Sequence, residues 1–276
     1  MPDIVTIQNG DAESFWSQFP DCFTDLKALG YTPEVQAKFP QFKRTELEVG
    51  DKAYAMPWDT GPVVMFYRRD LYEKAGVDPA TIVTWDDFIA AGKKISEANP
   101  GVVMSQADLN GDDEFMRMIG NEQGCNYFSD DGGEITINQP ACVSTLDTIK
   151  SSRILEPSLP QNGMRKSSRS SPAKWPQMYG GWYEGTLRTN APDLAGKWGV
   201  YAMPSVTADG LHAANVGGSA LGITSISANK EAAYAYLNYA WHQRRADLHA
   251  QGLWACAFVD LGPRRSLCAR EAALLG

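Results

Sequence analysis

Twice in this chain a short apolar strand pattern runs straight into proline, at Ala55-Met56-Pro57 and again at Ala202-Met203-Pro204. Proline has no amide donor for a sheet interior, so each strand must end or leave its sheet there. The stretch between the two exits is long enough to be a folding unit of its own. The chain is therefore expected to leave one lobe at the first exit and return to it after the second. This gives a first lobe from residues 1–57 and 206–240, a second lobe from 58–205, and an atypical tail at 241–276.

Local signals around these exits alternate between strand and helix. Ile4 to Ile7 is an apolar run closed by Gln8-Asn9-Gly10, Lys52 to Met56 reads as a second strand, and Val63 to Tyr67 as a third. Arg69 to Ala75 reads as a helix punctuated by Gly76. Thr84 is placed as N-cap of Trp85 to Ala98, with Asp87 as the reciprocal acid of a capping box. Asp130 to Gly133 is a turn between short strands, and Pro140 opens a helix through Lys150. Lys197 to Met203 and the glycine-rich Val216 to Ile223 are extended. Asn229 caps a last helix with Ala233, Tyr236, Leu237 and Ala240 as its apolar stripe. Short strands and helices in alternation predict an α/β class.

Composition narrows the partners. With 276 residues, 43% hydrophobic and 21% charged, the chain has material for one large domain or two medium ones. A formal net charge of −8 and a pI near 5.0 repel phosphate backbones and anionic lipid heads. That excludes nucleic acid and membrane surfaces as natural partners and favours a neutral ligand. Five cysteines show no Cys-x-x-Cys spacing, so no metal or cofactor is expected, and one thiol must remain unpaired within the chain. The first residues show no secretory signal, and no apolar run reaches the length of a membrane span.

The run Lys52 to Val77, Lys-Ala-Tyr-Ala-Met-Pro-Trp-Asp-Thr-Gly-Pro-Val-Val-Met-Phe-Tyr-Arg-Arg-Asp-Leu-Tyr-Glu-Lys-Ala-Gly-Val, is followed by Thr-Trp-Asp-Asp-Phe from Thr84. Together they closely resemble the extracellular solute-binding proteins of carbohydrate ABC importers, to which maltose-binding protein is distantly similar. Pro2 to Val5, Gly180-Gly181-Trp182, Gly196 to Val200 with Met203-Pro204, and Asn215 to Ser219 before Asn229 to Ala233 match in the same order. The resemblance implies a two-lobed periplasmic-binding-protein-like α/β fold, with the sugar held in the cleft between lobes. It also implies a periplasmic or cell-surface location, a monomer, and ABC permease transmembrane subunits as partners. Members carry further sequence before the Pro-Asp-Ile-Val strand, so part of the first lobe is expected to be missing and Ile4 to Ile7 to lie in a sheet with an uncovered side. Residues 164–176 and 250–276 depart from the family pattern, and a reading-frame slip would account for both.

A pyranose presents an apolar C–H face and polar edges, so its site needs rings for the face and carboxylates or amides for the hydroxyls. Trp58 and Asp59, in the loop after the first exit, supply both types. Trp182 follows two glycines and matches the family's stacking tryptophan, with Tyr183 and Glu184 beside it. Asn9 and Asp11 follow the end of a strand, where open α/β sheets place their ligands. Asn215, Gly217 and Gly218 match the family strand that returns to the first lobe. The competing readings are structural: a core Trp182, a loop-capping Asp59, and a glycine bulge at 217–218. Asp108 to Asp112 lacks the glycine and distal glutamate of a calcium loop, so it is read at most as a helix start with Asp112 or Glu114 facing the ligand. A glycoside hydrolase with Asp59 and Glu184 as its carboxyl pair is the rival class. A fragment that has lost binding altogether is the other.

Overall fold

A computed structural model of the chain describes residues 2–100, 102, 104, 114–129, 133–151 and 177–250, with backbone alone at 151, 177–179 and 243–250. The described residues fold as two units, the first formed by those up to Gly61 together with 217–250 and the second by those between Pro62 and Val216. Strands and helices mix in both, as the α/β class requires. The Asp108 to Asp112 loop, the tip of the turn at 130–132, residues 164–176 and the tail beyond 250 lie outside the described residues.

In the first unit β1 (Ile4–Gln8) leads into α1 (Asn9–Gln18). Two short helices follow, α2 (Pro33–Gln36) and α3 (Gln41–Thr45), then β2 (Glu48–Val49), β3 (Lys52–Ala53) and β4 (Ala55–Pro57). The second unit holds β5 (Met65–Arg68), α4 (Arg69–Lys74), α5 (Trp85–Ala98), α6 (Glu114–Gln123), α7 (Pro140–Ser151), β6 (Gln177–Tyr179), α8 (Tyr183–Asn190) and β7 (Trp198–Tyr201). The chain then returns through β8 (Ser219–Ile223) and ends its described part with α9 (Lys230–Ala250).

The first unit is built on the antiparallel sheet β1-β8-β4, with β8 in the middle. Strand period 2 sends alternate residues of β8 to opposite faces, so Ala220 packs with Ile7, Ala12, Trp16 and Ala55, while Ile223 packs with Met56, Leu26 and Leu237. Helix α1 covers the first face and α9 the second, giving a helix–sheet–helix layering. The buried stripe of α9 is Ala233, Tyr234, Leu237 and Trp241. Ala233 and Leu237 of the expected stripe are buried, but Tyr236 is exposed and Ala240 half-buried, because Tyr234 and Trp241 complete the core-facing side instead. Strand β1 is an edge strand whose side chains are exposed or half-buried except Ile7.

The second unit carries the antiparallel sheet β6-β5-β7. Helix α5 begins as its sequence dictates: Thr84 Oγ1 accepts from Asp87 N at 3.1 Å, and Asp87 Oδ2 accepts from Thr84 N at 2.8 Å. It buries Trp85, Phe88, Ala91 and Ile95 at helical spacing against Met65, Tyr72 and α6 residues Phe115, Met118 and Ile119. Cys125 and Cys142 form a disulfide from the end of α6 to the start of α7, and Cys22 is an exposed free thiol.

The division between units falls beyond the proline exits, at 61/62 and 216/217 rather than 57/58 and 205/206. Hydrogen bonding explains both displacements. The amides of Trp58 and Asp59 both donate to Ser219 O, which holds the post-proline loop to the first unit. After the second proline, Ser205 N donates to Val83 O, Trp85 N donates to Ser205 O, and Val63 N donates to Ala214 O, which holds the chain to the second unit.

Candidate functional site

In the first unit the end of β1, the loop after β4 and the approach to β8 come together. Asn9, buried at the start of α1, donates its backbone N–H to Gly218 O at 2.9 Å and its Nδ2 to Glu46 Oε2 at 2.7 Å. Its Oδ1 is buried without a hydrogen-bond partner. Asp59 is half-buried, and its Oδ1 accepts from Ser219 N at 2.6 Å, across 160 residues of sequence. Trp58 beside it is half-buried. Gly218 has φ +110, and a Cβ there would lie 2.6 Å from Lys43 Nζ and 2.7 Å from Asp59 O, so glycine is required on both counts. Asp11 is exposed on the first turn of α1, where its charge complements the helix dipole, and it takes no part in the hydrogen bonds just described.

Two residues at the centre of the cluster carry no sequence signal. Lys43 is enclosed by protein, and its Nζ donates to Glu46 Oε2 at 3.1 Å and to Gly217 O at 3.4 Å. Burial pulls its ammonium below the usual lysine range, against the opposing charges of Glu46 and Asp59. A lysine and a glutamate three apart after Pro40 look like any solvated helical turn. What selects them is contact with distant residues, Gly217 for Lys43 and Asn9 for Glu46, which periodicity does not report.

In the second unit β6 runs into Gly180, whose N–H donates to Val64 O at 3.1 Å, and Gly181, whose N–H donates to Pro62 O at 2.9 Å. Gly180 has φ +98, and a Cβ on it would come within 2.5–2.8 Å of the Trp182 ring. The indole thus lies on the bare backbone of Gly180. It remains 43% exposed, which excludes the core-burial reading of this tryptophan. Tyr183 stacks beside it, ring centroids 5.9 Å apart and 29° between planes. Glu184 pairs with Arg188 one turn on, at the rim of a cavity of about 370 Å³ lined also by Leu187, Trp198 and Val200. Asn215, grouped by sequence with Gly217 and Gly218, belongs instead to the second unit: it bridges to Pro62 and its carbonyl accepts from Asn121 Nδ2 at 3.1 Å. Glu114 opens α6 and is half-buried; Asp112 lies outside the described residues.

Chemically, the first unit offers amide, carboxylate and backbone groups in one cluster, and the second offers an open aromatic face. The carboxyls of the rival hydrolase reading already hold partners: Asp59 caps a backbone amide and Glu184 an arginine. Among the described residues the acid pushed well up is a different one. Burial raises Glu122 to about 7, against hydrogen bonds donated to its Oε1 by Trp85 Nε1 at 3.1 Å and Val206 N at 2.9 Å. No group of His, Cys, Asp and Glu suited to a metal occurs among the described residues, and none of their helices is long and apolar enough to cross a membrane.

A family model described as bacterial extracellular solute-binding protein matches residues 1–240. Among curated relatives, the lactose-binding protein of Rhizobium radiobacter is 32% identical over 246 residues, covering 86% of this chain and 56% of that protein. The arabinooligosaccharide-binding protein of Bacillus subtilis is 29% identical over 251 residues, covering 87% and 56%. The chain therefore spans little more than half the length of the curated relatives it matches. Among solved structures, an ABC transporter associated binding protein from B. animalis subsp. lactis in complex with beta-1,6-galactobiose superposes with TM-score 0.68 at 24% identity, covering 87% of this chain and 59% of that one. The galacto-N-biose-/lacto-N-biose I-binding protein from Bifidobacterium longum does so with TM-score 0.68 at 20% identity, covering 98% and 71%. At these identities the likeness shows the two-lobed fold.

Proposed function

This chain belongs to the bacterial extracellular solute-binding protein family, and from that premise we propose that it captures a mono- or oligosaccharide for an ABC-type importer. In this reading it serves outside the cytoplasmic membrane, acts as a monomer, hands its sugar to the permease and catalyses no reaction. The observation that carries it is Trp182. A tryptophan left 43% exposed on a glycine shelf keeps a large apolar face in water, a cost that a stacked sugar ring removes. Trp58, Asp59, Asn9, Gly217 and Gly218 of the first unit supply the hydrogen-bonding groups for hydroxyls, and Tyr183, Glu184 and Asn215 are second-unit candidates for the same work. The sugars named for the relatives, lactose and arabino-oligosaccharides, are the first probes to try.

A thermal-shift screen of mono- and disaccharides tests the reading. A sugar at a hundred times its Kd stabilises the folded chain by about 2.7 kcal/mol, roughly 5 to 10 °C in Tm for a protein of this size. Release of monosaccharide from an oligosaccharide probe in the same samples would favour the hydrolase instead.

A further inference from the structure

Among the described residues Lys43 stands out as a charge that sugar contact does not explain and that protein encloses, with its side chain at 0% exposure. An ammonium cut off from water is costly unless acceptors surround it. Its acceptors come from separate stretches of chain. Glu46 Oε2 lies 3.1 Å away just beyond α3, and Gly217 O lies 3.4 Å away on the segment returning to the first unit. The carboxylate of Asp59, on the segment leaving it, adds a favourable charge and itself holds Ser219 N at 2.6 Å. The two segments touch backbone to backbone at this point: a Cβ on Gly61 would lie 2.5 Å from Gly217 Cα. Both are the segments on which Trp58, Asp59, Gly217 and Gly218 stand.

We propose that Lys43 is a positioning residue for sugar recognition: its enclosed ammonium fixes the Gly217–Gly218 segment beside the Trp58–Asp59 loop and so sets the arrangement in which both meet the ligand. The proposal rests on reading these loops as sugar contacts. It separates from a purely structural role because the two roles predict different outcomes when the charge is removed and the volume kept. Methionine has the length and flexibility to fill the same space, and losing one partner of an ion pair is costly chiefly when the charge left behind stays buried. Glu46, whose side chain is 38% exposed, regains water on losing Lys43 and keeps its hydrogen bond from Asn9.

The test compares the chain with its Lys43→Met variant by amide hydrogen exchange without sugar, and by calorimetric titration with lactose and an arabino-oligosaccharide. The expected result is exchange at least tenfold faster at Trp58 and Ser219, unchanged exchange at Ile223 in β8, and sugar affinity lowered tenfold or more. Equal exchange rates at Trp58 and Ser219 overturn the proposal, as does faster local exchange with unaltered affinity. Loss of the fold, or faster exchange that includes Ile223, makes Lys43 structural and overturns it too. If the unaltered chain binds neither sugar, the proposed function is what fails for those ligands, while the exchange comparison still decides whether Lys43 holds the two segments.

Discussion

Trp182 separates two roles that a tryptophan in a family motif can have, because affinity and stability respond differently. Replacing an exposed stacking ring with alanine is expected to weaken sugar binding by about 1–3 kcal/mol, tenfold to a hundredfold, by analogy with aromatic hot spots. The apo Tm should stay within a few degrees, whereas a core tryptophan would cost about 3–5 kcal/mol of stability. Gly180→Ala should reproduce the affinity loss with the indole still present, since the added Cβ collides with the ring it supports. Calorimetry and thermal melts on the two variants check this. Glu122 gives a pH prediction. Its folded pKa, about 7, is raised by burial above the usual 4.5. Its contribution to stability is therefore fully present below the usual carboxylate pKa and is lost as pH rises through about 7. The Tm of Glu122→Gln relative to the unaltered chain should increase between pH 5 and pH 8; a flat difference would contradict it. The Trp182 and Asp59 candidates are legible because a ring after two glycines and an acid in a post-proline loop are local patterns that also match the family resemblance. Lys43 and Glu46 are not, since their meaning lies in contacts with residues 217 and 9 that no local window contains.

Helix α5 is the element that sequence specified most completely, and the reason is that both its signals are local. Thr84 and Asp87 satisfy each other's backbone amides, and the buried residues Trp85, Phe88, Ala91 and Ile95 fall on one face. Thr84→Ala should cost about 1 kcal/mol at neutral pH, within a range of roughly 0.5 to 2, read by chemical denaturation. The hydrogen bonds from Thr84 hold the Asp87 carboxyl below its usual range, so their contribution is present above the unfolded pKa and fades as pH falls through the folded one. The cost of the substitution should shrink in acid accordingly. Helix α9 shows where such reading slips. Its aromatic and alanine positions allow two stripes, and only the packing of Tyr234 and Trp241 against β8 and Phe39 selects one. The strand from Lys52 to Met56 divides into β3 and β4 because its first half pairs with β2 and its second with β8.

At the scale of the molecule, the alternation of short strands and helices was enough to foresee the α/β class, and the proline exits foresaw two units. Their junctions fell later in the chain because backbone hydrogen bonds, made with segments distant in sequence, decide which unit a loop belongs to. The proposed sugar capture concerns the whole chain and is tested as such. In calorimetric titrations of this chain with lactose and with an arabino-oligosaccharide, capture predicts saturable one-to-one binding of at least one of them. The sugar should be recovered intact, and the binding should weaken tenfold or more in Trp182→Ala. Binding of equal strength by a well-folded Trp182→Ala chain, or hydrolysis of the titrated sugar, would contradict it.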